Sequence, residues 1–315
     1  MFHLYPRTAR FAFRLLAVVA LLWGLALPGQ RTVNVLRAPV ADRGTRVADA
    51  PADAAAADFT FERNLIFFEA EVDGRTGHFI LDTGAPSLVM NTRGAETTGS
   101  SYTGLGSGGQ VSLTDQRIGT FAMPGRQLEN FWALGIDLRD MEARTERRID
   151  GFVGYDLVNA GELRIDYGRR NFQLLPSARR PQHAGAAPRA VLRFTLVDHL
   201  PVVQVKIGGK RYRFAIDTGA GLNLLADWAA EALPTVAGER SVNVQGLDGT
   251  PMDYPCVSVD NPAALGGGER LELVRADLSH LQDPGNVQLA GILGSSFLSR
   301  YVVGIDYRRQ KVYLW

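Results

Sequence analysis

The chain has 315 residues, of which 46% are hydrophobic and 21% charged, with a formal net charge of +1. That length and balance allow two globular domains with sizeable cores and exclude a disordered chain, and the near-neutral charge gives no electrostatic case for a nucleic-acid partner. The single cysteine, Cys256, excludes an intramolecular disulfide and a cysteine-rich zinc site, and reads as a small buried apolar residue.

The N-terminus carries an address. Arg7, Arg10 and Arg14 precede the apolar run LLAVVALLWGLAL at residues 15–27. A positive segment followed by a short apolar stretch is the pattern of a secretory signal. The run is shorter than the roughly 20 apolar residues of a spanning helix. No A-x-A cleavage site follows it, however, because the exit reads ALPGQ. Residues 1–30 therefore read as a cleaved signal or a retained membrane anchor, with a buried helix of the fold as a third reading. Both leading readings predict an exported protein, periplasmic or held at the outer face of a membrane. In the anchored case residues 11–27 make the membrane association.

Residues 31–60 contain APVADRGTRVADAPADAAAAD, a mixture of Ala, Pro and Asp without apolar period, and read as a linker. Two folded units are expected beyond it, at 61–176 and 190–315. The segment 177–189, rich in Ala, Pro and Arg, links them.

The two units are copies of one pattern. LIFFEAEVDGRTGHFILDTGA begins at Leu65 and LPVVQVKIGGKRYRFAIDTGA at Leu200, an offset of 135 residues (200 − 65 = 135) that holds to Asp82 and Asp217 (217 − 82 = 135). Each copy predicts a hairpin whose tight turn is Asp73-Gly74 or Gly208-Gly209. The pattern returns at the end of each unit. IDGFVGYDLVNAGELRIDYGRRNFQLL starts at Ile149 and LAGILGSSFLSRYVVGIDYRRQKVYLW at Leu289, now offset by 140 (289 − 149 = 140). Asp166 and Asp306, in the Ile-Asp-Tyr strands, read as strand ends before a turn.

Asp82-Thr83-Gly84 and Asp217-Thr218-Gly219 each follow an apolar strand. One such tripeptide is an ordinary turn sequence, and an unpaired Asp at the end of a buried strand is costly. Two copies at equivalent positions suggest that each Asp is the other's partner. Paired carboxylates share one proton, so the ionised member can draw a proton from water while the protonated member donates to the carbonyl oxygen under attack. Thr83 and Thr218 are expected to tie the two loops together. Gly84 and Gly219 are expected to let backbone approach the carboxylates and donate to them.

Other chemistries lack parts. The histidines at 3, 78, 183, 199 and 280 have no metal-ligand spacing, and no G-x-S-x-G occurs. GLGSGG at 104–109 matches a dinucleotide-binding pattern, but the strand-like QVSLTD follows it where a helix is required. No metal and no cofactor are expected.

The doubled Asp-Thr-Gly, each followed by an apolar-apolar-Gly segment (Phe152-Val153-Gly154 and Ile292-Leu293-Gly294), resembles the pepsin/retropepsin superfamily of aspartic proteases. The Asp-Thr-Gly-Ala form is similar to its retropepsin-like branch, here in two tandem copies covering about residues 60–315. The resemblance implies a mostly β fold of two closed β-barrel lobes forming a pepsin-like pseudo-dimer, with the apolar-Gly strand threading beside the catalytic loop. It implies an endopeptidase with Asp82 and Asp217 as catalytic dyad, supported by Thr83, Gly84, Thr218 and Gly219, acting on a peptide or protein. Hairpin flaps are expected at SSYTGLGSGGQVS (100–112) and VQGLDGTP (244–251), making Tyr102, Gly104, Gly106, Gly108, Gly109 and Gly246 candidates for substrate contact. Ala85 and Ala220 stand where pepsins usually carry a hydroxyl. That loss of a donor predicts raised dyad pKa values and a weakly acidic optimum. The fourteen-residue stretch from Pro176 to Arg189 (189 − 176 + 1 = 14) can span roughly 40 Å, so pairing within one monomer is favoured over pairing between molecules. The competing function is a non-catalytic peptide-binding or sensing module of the same fold at the cell envelope.

Overall fold

Leu65–Val72 buries Leu65, Ile66, Phe67, Phe68 and Ala70 and exposes Glu69 and Glu71. Leu200–Ile207 repeats this arrangement, exposing Gln204 and Lys206. Alternation of this kind specifies strands with one face toward a core. The computed structural model describes residues 46–49, 56–94, 101–106, 109–233, 236–245, 251–278 and 288–315. The signal or anchor segment, Gly108 and Gly246 lie outside the described residues. The structure is 53% strand and 11% helix, hence mostly β.

Lobe one contains β1 (Arg46–Asp49), β2 (Ala57–Glu62), β3 (Leu65–Val72), β4 (Arg75–Leu81), β5 (Val89–Asn91), β6 (Ser101–Gly106), β7 (Gly109–Met123), β8 (Arg126–Ile136), β9 (Gly151–Val153), β10 (Glu162–Asp166) and β11 (Asn171–Leu175), with α1 (Arg139–Thr145) and α2 (Tyr155–Val158). Lobe two contains β12 (Ala190–Val197), β13 (Leu200–Ile207), β14 (Lys210–Ile216), β15 (Leu224–Ala226), β16 (Val236–Gln245), β17 (Pro251–Val259), β18 (Leu271–Ala276), β19 (Gly291–Leu293), β20 (Val302–Asp306) and β21 (Lys311–Leu314), with α3 (Asp227–Ala232) and α4 (Ser295–Leu298).

The β3–β4 and β13–β14 hairpins turn where expected. Asp73 and Gly74 have φ of 50° and 74°, and Gly208 and Gly209 have 56° and 84°. Positive φ at both central residues matches the right-handed twist of the flanking strands. Asp166 and Asp306 also take their expected places, accepting the backbone N–H groups of Arg169 (2.8 Å) and Arg309 (3.0 Å) across their turns.

The mostly β, two-lobe architecture is as expected, and the pairings among the described residues do not draw a clean closed barrel. In lobe one the run β3–β4–β9–β5–β8–β7 returns to β3 through only two residue pairs, Glu71↔Ala122 and Val72↔Phe121. In lobe two the run β13–β14–β19–β15–β18–β17–β16 has no closing pair among the described residues. β1 lies within the segment expected to be a linker and pairs with β8, starting at Arg46↔Glu129. Backbone pairing to a strand edge needs no apolar period, so composition does not reveal it.

The lobes join through a six-stranded antiparallel sheet in the order β2–β11–β10–β20–β21–β12. At its centre Arg164 faces Gly304, residues related by the repeat offset (304 − 164 = 140). The local two-fold between the lobes therefore passes through this pair. One large apolar cluster runs through both lobes, and a smaller one around Ile80, Leu134 and Phe152 lies within lobe one. Phe172 of the joining sheet is 1% exposed and meets Phe68 edge-on at 4.9 Å. Phe172→Ala is expected to destabilise the fold by about 3–5 kcal/mol in equilibrium urea unfolding. A loss below about 1 kcal/mol would show that this contact does not hold the sheet to lobe one.

Candidate active site

Asp82 follows β4 and Asp217 follows β14, and both side chains are 0% exposed. Each loop is fixed by a parallel neighbour. Leu81 pairs with Val153 on β9 and Ile216 with Leu293 on β19. The Asp82 N–H then donates to the Val153 carbonyl (3.0 Å), and the Asp217 N–H to the Leu293 carbonyl (3.1 Å). The apolar-apolar-Gly segments thus run beside the Asp-bearing strands as anticipated.

The loops are tied across the two-fold. The Thr83 N–H donates to Thr218 Oγ1, and the Thr218 N–H donates to Thr83 Oγ1, both at 3.0 Å. Each hydroxyl then donates onward into the opposite lobe, Thr218 to the Leu81 carbonyl (2.9 Å) and Thr83 to the Ile216 carbonyl (3.4 Å). All four groups are buried, so the bonds replace solvation that neither loop can otherwise obtain.

The glycines are required by the close approach. A Cβ on Gly84 would sit 2.6 Å from Asp217 Oδ2, and one on Gly219 would overlap the Asp82 carboxyl. Each Asp Oδ1 accepts its own loop's glycine N–H at 2.8 Å, from Gly84 and from Gly219.

The outer oxygens tell a different story. Asp82 Oδ2 and Asp217 Oδ2 are buried and accept no hydrogen bond from a protein donor among the described residues. The two carboxyls are nevertheless near enough for the charge of Asp217 to be felt at Asp82. Two acceptors satisfy one another only if one carries a proton. Burial, the largest cause, pushes Asp217 up to about 6. Burial and then the charge of Asp217 raise Asp82 well above the ordinary carboxylate range. The values belong to the pair, whose favoured state over a broad pH range is singly protonated. Ala85 and Ala220 are fully buried and bring no hydroxyl to the dyad.

Of the other candidates, Tyr102, Gly104 and Gly106 lie on β6 and Gly109 opens β7. These strands form an antiparallel hairpin in which Tyr102 faces Leu113 and Gly106 faces Gly109. β16 and β17 form its counterpart, from Val236↔Ser258 to Gln245↔Pro251. Four residues near the dyad were not anticipated as site residues. His199 Nε2 lies 2.7 Å from the Gly84 carbonyl oxygen. Ser295 Oγ donates to the Thr218 carbonyl (3.0 Å), with the Tyr167 hydroxyl 3.4 Å away. Tyr307 is fully buried and feels the charge of both aspartates. The recurrence of Ile-Asp-Tyr marked both tyrosines as repeated positions; nothing in the sequence marked His199.

A family model described as aspartyl protease matches residues 68–157 and again 203–297. A search of curated proteins returned no match.

Thr218→Val keeps side-chain shape while removing the acceptor for the Thr83 N–H and the donor to Leu81. The variant is expected to lose about 2 kcal/mol or more in urea unfolding, because it leaves two buried backbone groups unpaired. A change within about 0.5 kcal/mol, the range of ordinary surface substitutions, would mean that the threonines do not brace the loops.

Proposed function

The chain belongs to the aspartyl protease family, and on that premise we propose that it is an endopeptidase in which Asp82 and Asp217 act as one acid–base pair. The observation that carries the reading is the pair of buried carboxyls facing each other with no protein donor for either Oδ2. With one proton on the pair, the ionised carboxylate removes a proton from water as the water oxygen adds to the peptide carbonyl carbon. The protonated carboxyl gives its proton to the carbonyl oxygen. The tetrahedral diol then collapses: one hydroxyl gives its proton to the carboxylate that is now ionised as the C–N bond breaks, and the leaving amine takes the proton of the other carboxyl, which restores the singly protonated pair. No covalent bond to the enzyme forms.

The β6–β7 and β16–β17 hairpins are assigned as flaps over an extended peptide held by strand addition. Both carboxyls come from one chain, and the reciprocal threonine bonds support a monomer as the working unit. The Arg-flanked apolar run at 15–27 supports a location outside the cytoplasm.

Asp82→Asn and Asp217→Asn are each expected to lower peptide cleavage by at least about 100-fold while leaving the fold intact. Undiminished cleavage in either variant would refute the dyad. Peptide binding without cleavage by the parent protein would instead identify a binding module.

The raised pKa values also set a pH dependence. The pair loses its first proton as pH rises through about 6, so cleavage should rise through that region. An optimum at about pH 2–3 would contradict the assignment. Stability runs the other way. The folded carboxyls hold protons more tightly than the unfolded ones. Their contribution is therefore fully present below the unfolded value of 3.8 and is lost as pH rises through about 6. The parent Tm should fall across that interval, and that of Asp217→Asn should fall less. Parallel Tm curves would count against the shared proton.

A further inference from the structure

His199 occupies the turn between β12 and β13 of lobe two, directly after Asp198, whose φ is 54°. It is 5% exposed, and its Nε2 lies 2.7 Å from the Gly84 carbonyl oxygen in the lobe-one catalytic loop. A carbonyl only accepts, so Nε2 carries the hydrogen. Burial pushes the ring down to about 4, against the opposing pull of the Gly84 carbonyl, so above that pH the imidazole is neutral and Nδ1 is bare.

That carbonyl belongs to the Gly84–Ala85 peptide, whose N–H donates to the Asp82 backbone carbonyl at 3.1 Å. A donor on the oxygen end fixes the plane of this peptide and polarises its N–H toward Asp82. The preceding peptide N–H, on Gly84, donates to Asp82 Oδ1 at 2.8 Å, so a clamp on the Gly84 carbonyl steadies a residue that bonds the carboxyl. The repeat offers no counterpart. The 135-residue offset places Asn64 opposite His199 (199 − 135 = 64), and among the described residues no side chain bonds the Gly219 carbonyl.

We infer that His199 is a positioning residue that clamps the lobe-one catalytic loop through the Gly84 carbonyl and adds to the local differences that make the two carboxyls inequivalent. This rests on the endopeptidase reading, in which one carboxyl must be charged and the other neutral. The other titratable groups felt by the dyad are Tyr167 and Tyr307, both far from titrating at neutral pH, and Tyr155, which packs against Tyr307. Against the lobe-one loop the neutral side-chain donor is His199, as Ser295 is against the lobe-two loop.

The test compares His199→Phe, which keeps the ring and loses the donor, with His199→Gln, which returns an N–H at the ε position. His199→Phe is expected to lower kcat by about tenfold with KM little changed. Its acid limb should move to higher pH by about half a unit, because the Gly84 N–H that Asp82 Oδ1 accepts is held less firmly and the ionised pair loses stabilisation. His199→Gln should recover most of both. Parent-like kcat and pH profile in His199→Phe would overturn the clamp, as would equal losses in both variants, which would make ring volume the cause. If the parent cleaves no peptide, the endopeptidase reading fails by itself. The clamp is then judged from carbon-13 titration of the two carboxyls, where a midpoint raised in His199→Phe supports it and an unmoved one overturns it. If His199→Phe does not fold, nitrogen-15 spectra of the parent decide. A neutral Nε2–H ring down to about pH 4 supports the clamp, and an Nδ1–H tautomer or imidazolium at neutral pH overturns it.

Discussion

Two carboxyl groups buried against each other set the central constraint on this molecule. Either one alone, ionised and out of water, would cost several kcal/mol. Together they are tolerable with one proton between them, provided the loops that carry them cannot separate. The structure meets that condition at three scales. Parallel strands β9 and β19 fix where each loop begins. Reciprocal threonine bonds set the distance between the loops. The six-stranded joining sheet, centred on Arg164 and Gly304, holds the lobes on a common two-fold. Loosening any of these exposes a carboxyl to water and returns its pKa to the ordinary range, which ends the shared proton.

Near-symmetry delivers the pair, but hydrolysis requires the two members to differ. The differences are local. Ser295 in lobe two stands at the repeat position of Tyr155 in lobe one (295 − 155 = 140), so Tyr167 meets a hydroxyl while Tyr307 meets a ring. His199 donates to one loop only. The duplicated framework supplies geometry, and a few unduplicated side chains make the surroundings of the two carboxyls differ.

Much of this was legible in the sequence because it depends on short-range pattern. The offsets of 135 and 140, the positive-φ turns at Asp73-Gly74 and Gly208-Gly209, the Asp-Thr-Gly pair and the hairpin around 101–114 each leave a local trace. What stayed hidden depends on partners far apart in sequence. Pairing of β10 with β20 joins residues about 140 positions apart and uses strands that look like ordinary edges. The addition of β1 to β8 is a backbone contact without apolar period. Closure of the lobe-one ring hangs on two residue pairs. His199 is a lone histidine in a turn, and only the distance to Gly84 gives it a role. A surface depression lined by Phe67, His78 and Arg147 contains no residue of either Asp-Thr-Gly loop, so that cavity does not point to the dyad.

The central claim is that Asp82 and Asp217 hold one proton between them at neutral pH. Neutron diffraction from deuterium-exchanged crystals of the parent protein at that pH tests it most directly. The account predicts that the two carboxyls lie within hydrogen-bonding distance and that a single deuteron sits between their facing oxygens. Two carboxyls turned apart, with both ionised or each carrying its own deuteron, would contradict it.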